Sequence, residues 1–564
     1  MPRSLRTYPP AHWGLVSLSL AASALSVTAC RSPELEVAAA DRQVYGILEQ
    51  ATAQVTGDAK TVRVDRPYDT LRRRLEAQDA SAAPLNLRLV ESLDAAAENS
   101  RDFQRQRESL YSVALNLTRT MHDFEWRFGA GAGAGIAGVG DDTANLTLSD
   151  DLRASQNTLA GPRIVTSFAN QFLRSLVNGG GFDASSVLGL TLSQPLLRGM
   201  SPRVIREPLT QSERDVIYQV RDFERFRSTF SVRVVSDYYG LLELTQNLEA
   251  EVANRDSLTL SRLRIEAMVE AGRNPSIDAG RARQNELSAE NRLIDARARL
   301  ESAVDRFLIT LGLPTDARAE VDLAELRQLA SLPIEDLTMT EDDAVAIAFQ
   351  RRLDYRNTRD EVEDAVRRVL VAEDAFRSQF DFTGAINVPT DTNSSLDFDW
   401  SRVSWRAGFD LELALDKLAE RNAYRSSLIN LDVFIRAREQ FEDEIKRDVR
   451  ESLRTLRRTV KSYAIQSNAL RLAEQRVEST RDFFAAGDRN VTTLDVLDAQ
   501  ESLLSAQLAQ MSARVDYAIA RLQLMLTLDS LVLEPMGLRF DQTLPIPTLA
   551  ADSANNPKKT GTPP

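Results

Sequence analysis

The sequence predicts a mainly α-helical protein with a small β part, built on long antiparallel coiled-coil helices, and three observations carry that expectation. Between Phe409 and Ala486 there is neither glycine nor proline. Helix over most of that stretch, at ~1.5 Å per residue, would run on the order of 100 Å, too long for a compact domain. After it, Leu497, Leu504, Leu508, Met511, Val515, Ala518, Leu522 and Met525 recur at steps of mostly three and four. That is the 3.5-residue seam of helices packed as a coiled coil. Finally, Phe124–Gly135, Ser185–Leu197, Gln379–Pro389 and Val403–Leu415 read as four strand candidates interrupting the helices. The clearest is Trp405 to Leu413, with large apolar residues on odd positions and mostly polar or small ones on even, the period of a half-buried strand.

The chain opens like an export signal. Arg3 and Arg6 precede an apolar run from Leu15 to Val27 that is too short to span a bilayer. The run ends in Val27-Thr28-Ala29-Cys30, which resembles a bacterial lipobox. Residues 1–29 are therefore expected to be a lipoprotein signal peptide, with Cys30 acylated. The alternative is an ordinary signal peptide with an incidental cysteine. Cys30 is the single cysteine, so no intramolecular disulfide can form. Residues 30–84 read as an N-terminal extension or linker, and 531–564 as a Pro-rich C-terminal tail.

Composition excludes several functions. A net charge of −13 argues against a nucleic-acid partner. Of the two histidines, His12 lies in the signal and His122 just before a strand candidate, so metal clusters, a catalytic triad and a resident cofactor are all poorly supported. The glycines of Gly129–Gly140 lack the strand-then-helix setting of a dinucleotide site. No enzyme activity is expected. After residue 30 no stretch approaches the ~20 apolar residues of a membrane helix, so a membrane crossing would require a closed β-barrel.

The chain repeats itself. Leu85–Gln104 lies over Leu337–Arg356 at an offset of 252 (337 − 85), with Leu87 on Met339, Ala96 on Ala348 and Phe103 on Tyr355. Further on, Asp278 falls on Asp495 and Leu311 on Leu528 at an offset of 217 (495 − 278). A first repeat at 85–312, a linker at 313–336 and a second repeat at 337–530 follow. The second is shorter because the first carries a long Gly/Asn/Ser-rich middle, about 137–181, to which the sequence assigns no role. Trp126, Trp400 and Trp405 lie in or beside the strand candidates, as an aromatic girdle at a membrane interface would; a soluble hairpin also uses such residues. Four strands cannot close a membrane barrel, whose smallest members have about eight. Either protomers share one barrel, or the strands do not cross a membrane.

Leu190–Gly199 (LTLSQPLLRG) resembles the strand-to-helix exit of the TolC-like outer-membrane efflux proteins, and Pro195 there ends strand pairing. Ala486–Gln500 (AGDRNVTTLDVLDAQ) resembles that family's second helical tip, and Leu311-Gly312-Leu313-Pro314 the close of its first repeat. The similarity covers roughly residues 85–530. The seven residues between Gly487 and Asp495 depart from the usual spacing, which leaves the register of Arg489 open. The resemblance implies a homotrimer whose four strands per protomer build a 12-stranded transmembrane barrel, continued by a trimeric α-barrel across the periplasm. It also implies a protein of the bacterial outer membrane, partnered by outer-membrane lipid, a periplasmic adaptor and an inner-membrane pump, to which the lipobox at Cys30 adds a lipid anchor.

Asp495 and Asp498 stand three apart, on one face of a helix. By resemblance they form the family's selectivity ring and gate, with Phe484 and Arg489 helping to hold the tip closed and Asp278 as a secondary candidate. The competing reading is a solvated helix start with Asp near the helix dipole. A periplasmic coiled-coil adaptor and a structural envelope lipoprotein are the competing functions.

Overall fold

The computed structural model describes residues 32–541 apart from positions 60–61, 66–69, 78–84, 140–142, 178–182, 323, 332, 335–338, 392–393, 395, 414, 487–489 and 535–536. In chain order the elements begin with α1 (Pro33–Thr56), α2 (Leu71–Glu76), β1 (Leu85–Leu87), α3 (Leu89–Asn99) and α4 (Arg101–His122). Four strands follow: β2 (Arg127–Val139), β3 (Thr143–Asn157), β4 (Arg163–Ser175) and β5 (Asp183–Pro195). Then come α5 (Pro202–Glu270), α6 (Ser276–Leu311), β6 (Ala319–Val321), α7 (Ala324–Ser331), α8 (Glu341–Arg351) and α9 (Leu353–Asp374). The chain closes with β7 (Gln379–Pro389), β8 (Ser404–Glu412), α10 (Leu418–Ala486) and α11 (Thr493–Thr527). Two compact units result: one takes residues up to 61, 111–219 and 359–436, the other 62–110, 220–358 and 437 onward.

The long helices correspond in length in pairs. α5 and α10 each have 69 residues, while α6 has 36 and α11 has 35. Both return helices bury the apolar seam read from the sequence: Ala289, Leu293, Ala296, Phe307 and Leu311 in α6, and Leu497, Leu504, Val515, Leu522 and Met525 in α11. In the second unit, Ile347 and Ala348 of α8 pack on Ile445, Val449 and Leu453 of α10 and on Leu524 and Leu528 at the end of α11. Each large side chain so buried contributes about 1.5–3 kcal/mol.

Both repeats end in a left-handed residue. Gly312 has φ 78°, and a Cβ there would lie 2.2 Å from the carbonyl oxygen of Asn99, so the position admits only glycine. Its counterpart is Asp529 at φ 51°. The Asp529 carboxylate accepts from the Leu353 amide at 3.1 Å and pairs with Arg225 at 3.1 Å. Local polar contacts hold this residue in a conformation that glycine adopts freely.

The first unit contains the main sheet. It is antiparallel and has six strands among the described residues, in the order β2-β3-β4-β5-β7-β8. The chain was expected to supply four strands; its sheet has six. The four anticipated segments are β2, β5, β7 and β8; the unassigned middle of the first repeat supplies β3 and β4 as an inserted hairpin. β2 and β3 pair from Arg127↔Ser155 to Val139↔Thr143, and β4 joins β5 from Arg163↔Ser193 to Leu173↔Asp183. Pro195 is the last residue of β5, and Gly199 (φ 71°) turns the chain toward α5 with its N–H donated to Asp374 at 2.6 Å.

The helices of the first unit are tied by charge. Asp364, almost wholly buried, meets Arg214 at 2.7 Å and Arg367 at 2.9 Å, and accepts from the Tyr218 hydroxyl at 2.7 Å. Burial, then the Asp364 carboxylate, raises the Tyr218 phenol well above its ordinary range, so it stays a neutral donor. Two stretches read as linkers are also more ordered than expected. α1 lies within the supposed extension and buries Val44, Leu48 and Ala51, three positions on one helical face. In the second unit the tail is held as far as Phe540, which bridges Leu533, while Leu538 is fully buried.

Candidate functional site

Strand register sorts every side chain of the six-stranded sheet onto one of two faces, because alternate residues point to opposite sides. Following the ladder from Trp405, the partners are Ile386, Leu190, Thr166, Ala154 and Phe128. The next row on that face reads Val388, Leu188, Phe168, Leu152 and Ala130. From Arg406 on the other face, the row is Ala385, Thr191, Val165, Ser155 and Arg127. One face is dominated by apolar groups and the other by Ser, Thr, Asn, Asp and Arg. The apolar face lies largely open: Phe128 is 82% exposed, Trp405 77% and Ile136 72%. An open apolar surface this extensive marks a binding or membrane-facing surface. Where β7 ends, the ring of Phe398 comes within 6.1 Å of Phe168 and covers part of it.

The three aromatic candidates lie in or beside this sheet. Trp405 is on the apolar face of β8; Trp126 immediately precedes β2 and Trp400 sits in a short 3-10 turn, both exposed. His122 ends α4, and its Nδ1 lies 3.5 Å from Glu125, with both side chains largely open to solvent. Among the described residues no helix is long and apolar enough to cross a membrane, and no group of His, Cys, Asp and Glu is arranged to hold a metal ion.

The acidic candidates open the two return helices. Asp278 is the third residue of α6 and Asp495 the third of α11, as the offset of 217 (495 − 278) requires. Asp495 is committed locally: its Oδ2 accepts from the Thr492 amide and hydroxyl, each at 2.7 Å, while its own amide donates to the Thr492 hydroxyl at 3.4 Å. This reciprocal capping box satisfies helix-start donors. The hydroxyl of Thr492, then its amide, holds the Asp495 carboxyl below its ordinary range, so it is ionised at neutral pH. Asp278 accepts from Asn274 Nδ2 at 3.3 Å.

Asp498 is exposed and lines an open groove of about 790 Å³ between α10 and α11, together with Glu501, Ser502 and Arg476. Asp495 and Asp498 share the start of α11 but not the same surroundings: one carboxylate is tied into the cap, the other faces the groove. Phe484 is half-buried near the end of α10. Arg489 and Cys30 lie outside the described residues. Arg476 escaped sequence reasoning. It donates to Ser502 at 3.3 Å and its charge acts on Asp495. Its signal was symmetry along the sequence, since positions 476 and 502 are equally distant from position 489.

Compared with solved structures, the chain aligns with CusC, whose structures describe folding and transmembrane channel formation, at 14% identity over 82% of this chain and 98% of that one, TM-score 0.58. It aligns with the CmeC outer membrane channel of Campylobacter jejuni at 14% identity, 85% and 94% coverage and TM-score 0.57. For VceC, an outer membrane protein of Vibrio cholerae, the values are 16%, 78%, 95% and 0.57. The fold is that of the TolC-like outer-membrane channels. No family model and no curated protein matches the sequence.

Proposed function

We propose that this chain is the outer-membrane channel subunit of a tripartite efflux or secretion system, a passive exit duct without chemistry of its own. The observation that carries the reading is the sheet: one exposed apolar face and one polar face, maintained from β2 to β8. A closed barrel is the only β structure that places such a sheet in lipid with every backbone group paired. Six strands fall short of the smallest such barrel, so copies must share one wall. In this reading three protomers do so, and their helices line the periplasmic part of the duct. A periplasmic adaptor joins it to an inner-membrane pump, and acyl groups on Cys30 add a lipid anchor in the outer membrane. Residues 1–29 are removed as the signal peptide, and the repeats at 85–312 and 337–530 are the structural units.

The acidic residues belong to the same proposal. At the narrow end of a threefold duct, Asp495 and Asp498 bring up to six carboxylates around one axis, with Asp278 as a secondary contributor and Phe484 and Arg489 bracing the closed tip. Two such charges ~6 Å apart at an effective ε of ~20 repel by ~3 kcal/mol, which favours bound cations. A coiled-coil adaptor or a structural lipoprotein has no use for an exposed apolar sheet face. Detergent-solubilised protein distinguishes the readings: a channel migrates as a heat-modifiable trimer on gels, whereas an adaptor or structural lipoprotein runs at one position with or without heating. Loss of lipid attachment in Cys30→Ser, read by mass spectrometry, is the expected result for the anchor; an unmodified wild-type terminus elsewhere contradicts it.

A further inference from the structure

We propose that the β3–β4 hairpin is part of the membrane wall, so that three copies close a barrel of eighteen strands, three times six. The inference rests on the channel reading above and adds the size of the barrel and the identity of its inserted staves.

Register is the first argument. A hairpin that projected from the barrel into water would have no reason to keep the parity of its neighbours. Here Leu146, Leu148 and Leu152 of β3 and Ile164, Phe168 and Phe172 of β4 all fall on the face that carries Trp405 and Leu190. The opposite face of β3 presents Asn145, Thr147, Ser149, Asp151 and Arg153, as a wet lumen requires. The one acid on the apolar side, Asp150, accepts a hydrogen bond from Asn170 of β4 at 2.7 Å. With 15 and 13 residues, β3 and β4 exceed the ~9–11 that a tilted strand needs to span the hydrocarbon.

Closure is the second. Among the described residues β2 and β8 are the outer strands of the sheet, and a strand at a sheet edge in lipid needs a neighbouring strand for its backbone groups. A hairpin adds strands in pairs, so β2 and β8 still run in opposite directions. A second copy therefore sets its β2 beside this β8 in antiparallel fashion, and the head-to-tail contact repeats until the ring closes. The rows also climb: the row through Arg406, third of the nine residues of β8, reaches β2 at its first residue, Arg127. Such stagger is what a tilted barrel wall needs.

The glycines of β2 fit the same picture. Gly131 and Gly133 face the polar side, where a Cβ would lie 2.6 Å from Asp151 Oδ1 and 3.0 Å from Ser149 Oγ. Polar side chains of β3 thus lie down over a bare β2. Since barrel diameter grows roughly linearly with strand number, an eighteen-stranded wall is wider by roughly half than one built from four strands per subunit.

The test uses the full chain in a Cys30→Ser background, reconstituted in lipid vesicles, with single cysteines at Leu148, Ser149, Asp151 and Leu152, and controls at Asp410 and Leu411. Each is reacted with a membrane-impermeant maleimide and, after fluorophore attachment, probed with nitroxide-labelled lipid. The expected result is alternation in both strands. Leu148→Cys, Leu152→Cys and Leu411→Cys label several-fold more slowly and are quenched by lipid; Ser149→Cys, Asp151→Cys and Asp410→Cys label readily and are not. If the controls alternate while all four β3 positions label alike, the hairpin lies outside the wall and this inference fails while the channel reading stands. If the controls do not alternate either, both fail.

Discussion

The two repeats of this chain treat their helices and their strands by different rules. Their long helices match to the residue, 69 against 69, and the return helices differ by one. Their strand content differs twofold: the first repeat gives β2, β3, β4 and β5 to the sheet, the second only β7 and β8. A packed helical seam fixes length, because each knob must meet its hole on a neighbouring helix and the tip turn must fall at the same level. A sheet that continues edge to edge has a looser constraint. It accepts an extra hairpin wherever two strands can be added with the right parity, since strand direction and face are then both preserved.

The largest expected effect separates the ends of the two repeats. Gly312→Ala drives a methyl group into the Asn99 carbonyl and strains a left-handed backbone, which should cost about 3 kcal/mol or more, as clashes at special backbone positions do. Asp529→Gly at the matching site removes only the contacts to Arg225 and Leu353 and should cost less. Urea denaturation of both variants checks the order; equal losses would mean that the two ends are built alike after all.

Next come the faces of the sheet. Leu411→Arg in the second repeat and Leu152→Arg in the inserted hairpin should each lower barrel stability by ~2–4 kcal/mol if they lie near the bilayer midplane, whereas Asp410→Arg is tolerated. Thermal loss of the heat-modifiable form reads this out. A penalty at Leu411 without one at Leu152 would set the hairpin apart from its sheet.

A smaller effect belongs to the tip. Thr492→Ala removes the hydroxyl that does most to hold the Asp495 carboxyl low, while the amide at that position remains. A carboxyl whose folded pKa is depressed contributes stability that is present above its unfolded pKa and lost as pH falls through the folded value. The variant should therefore be slightly less stable than wild type at neutral pH, with the gap closing in acid. A gap that persists at low pH would place the contribution elsewhere. The same cap is removed from its carboxylate side by Asp495→Ala with Asp498→Ala, whose main readout is conduction. Trimer assembly should survive, because the seam from Leu497 to Met525 is untouched, while cation selectivity and block by trivalent cations weaken. Unchanged selectivity would leave these residues as a solvated helix start.

Much of this was legible in the sequence because helices announce themselves through contrast. Leu and Met on one side of α11 and charge on the other leave little choice, and Gly312 and Pro195 punctuate where they should. The strand pair β7–β8 was equally readable, since Phe380, Phe382, Trp405 and Phe409 alternate with polar residues. The inserted hairpin was not. On β2 the two faces are glycine and alanine, which differ little in hydropathy, and on β3 the apolar parity is broken by Asp150. Lipid asks only that the surface be apolar as a whole, so single strands carry a weak signal that becomes clear when register aligns six of them. At the tip, the motif located Asp495 but not its capping bond to Thr492, which depends on the local turn.

The central claim is that this protein conducts. Purified full-length protein inserted into a planar lipid bilayer should give discrete, stable current steps that prefer cations, and the same preparation should run as a heat-modifiable trimer. A well-folded trimer that produces no current steps would contradict the account.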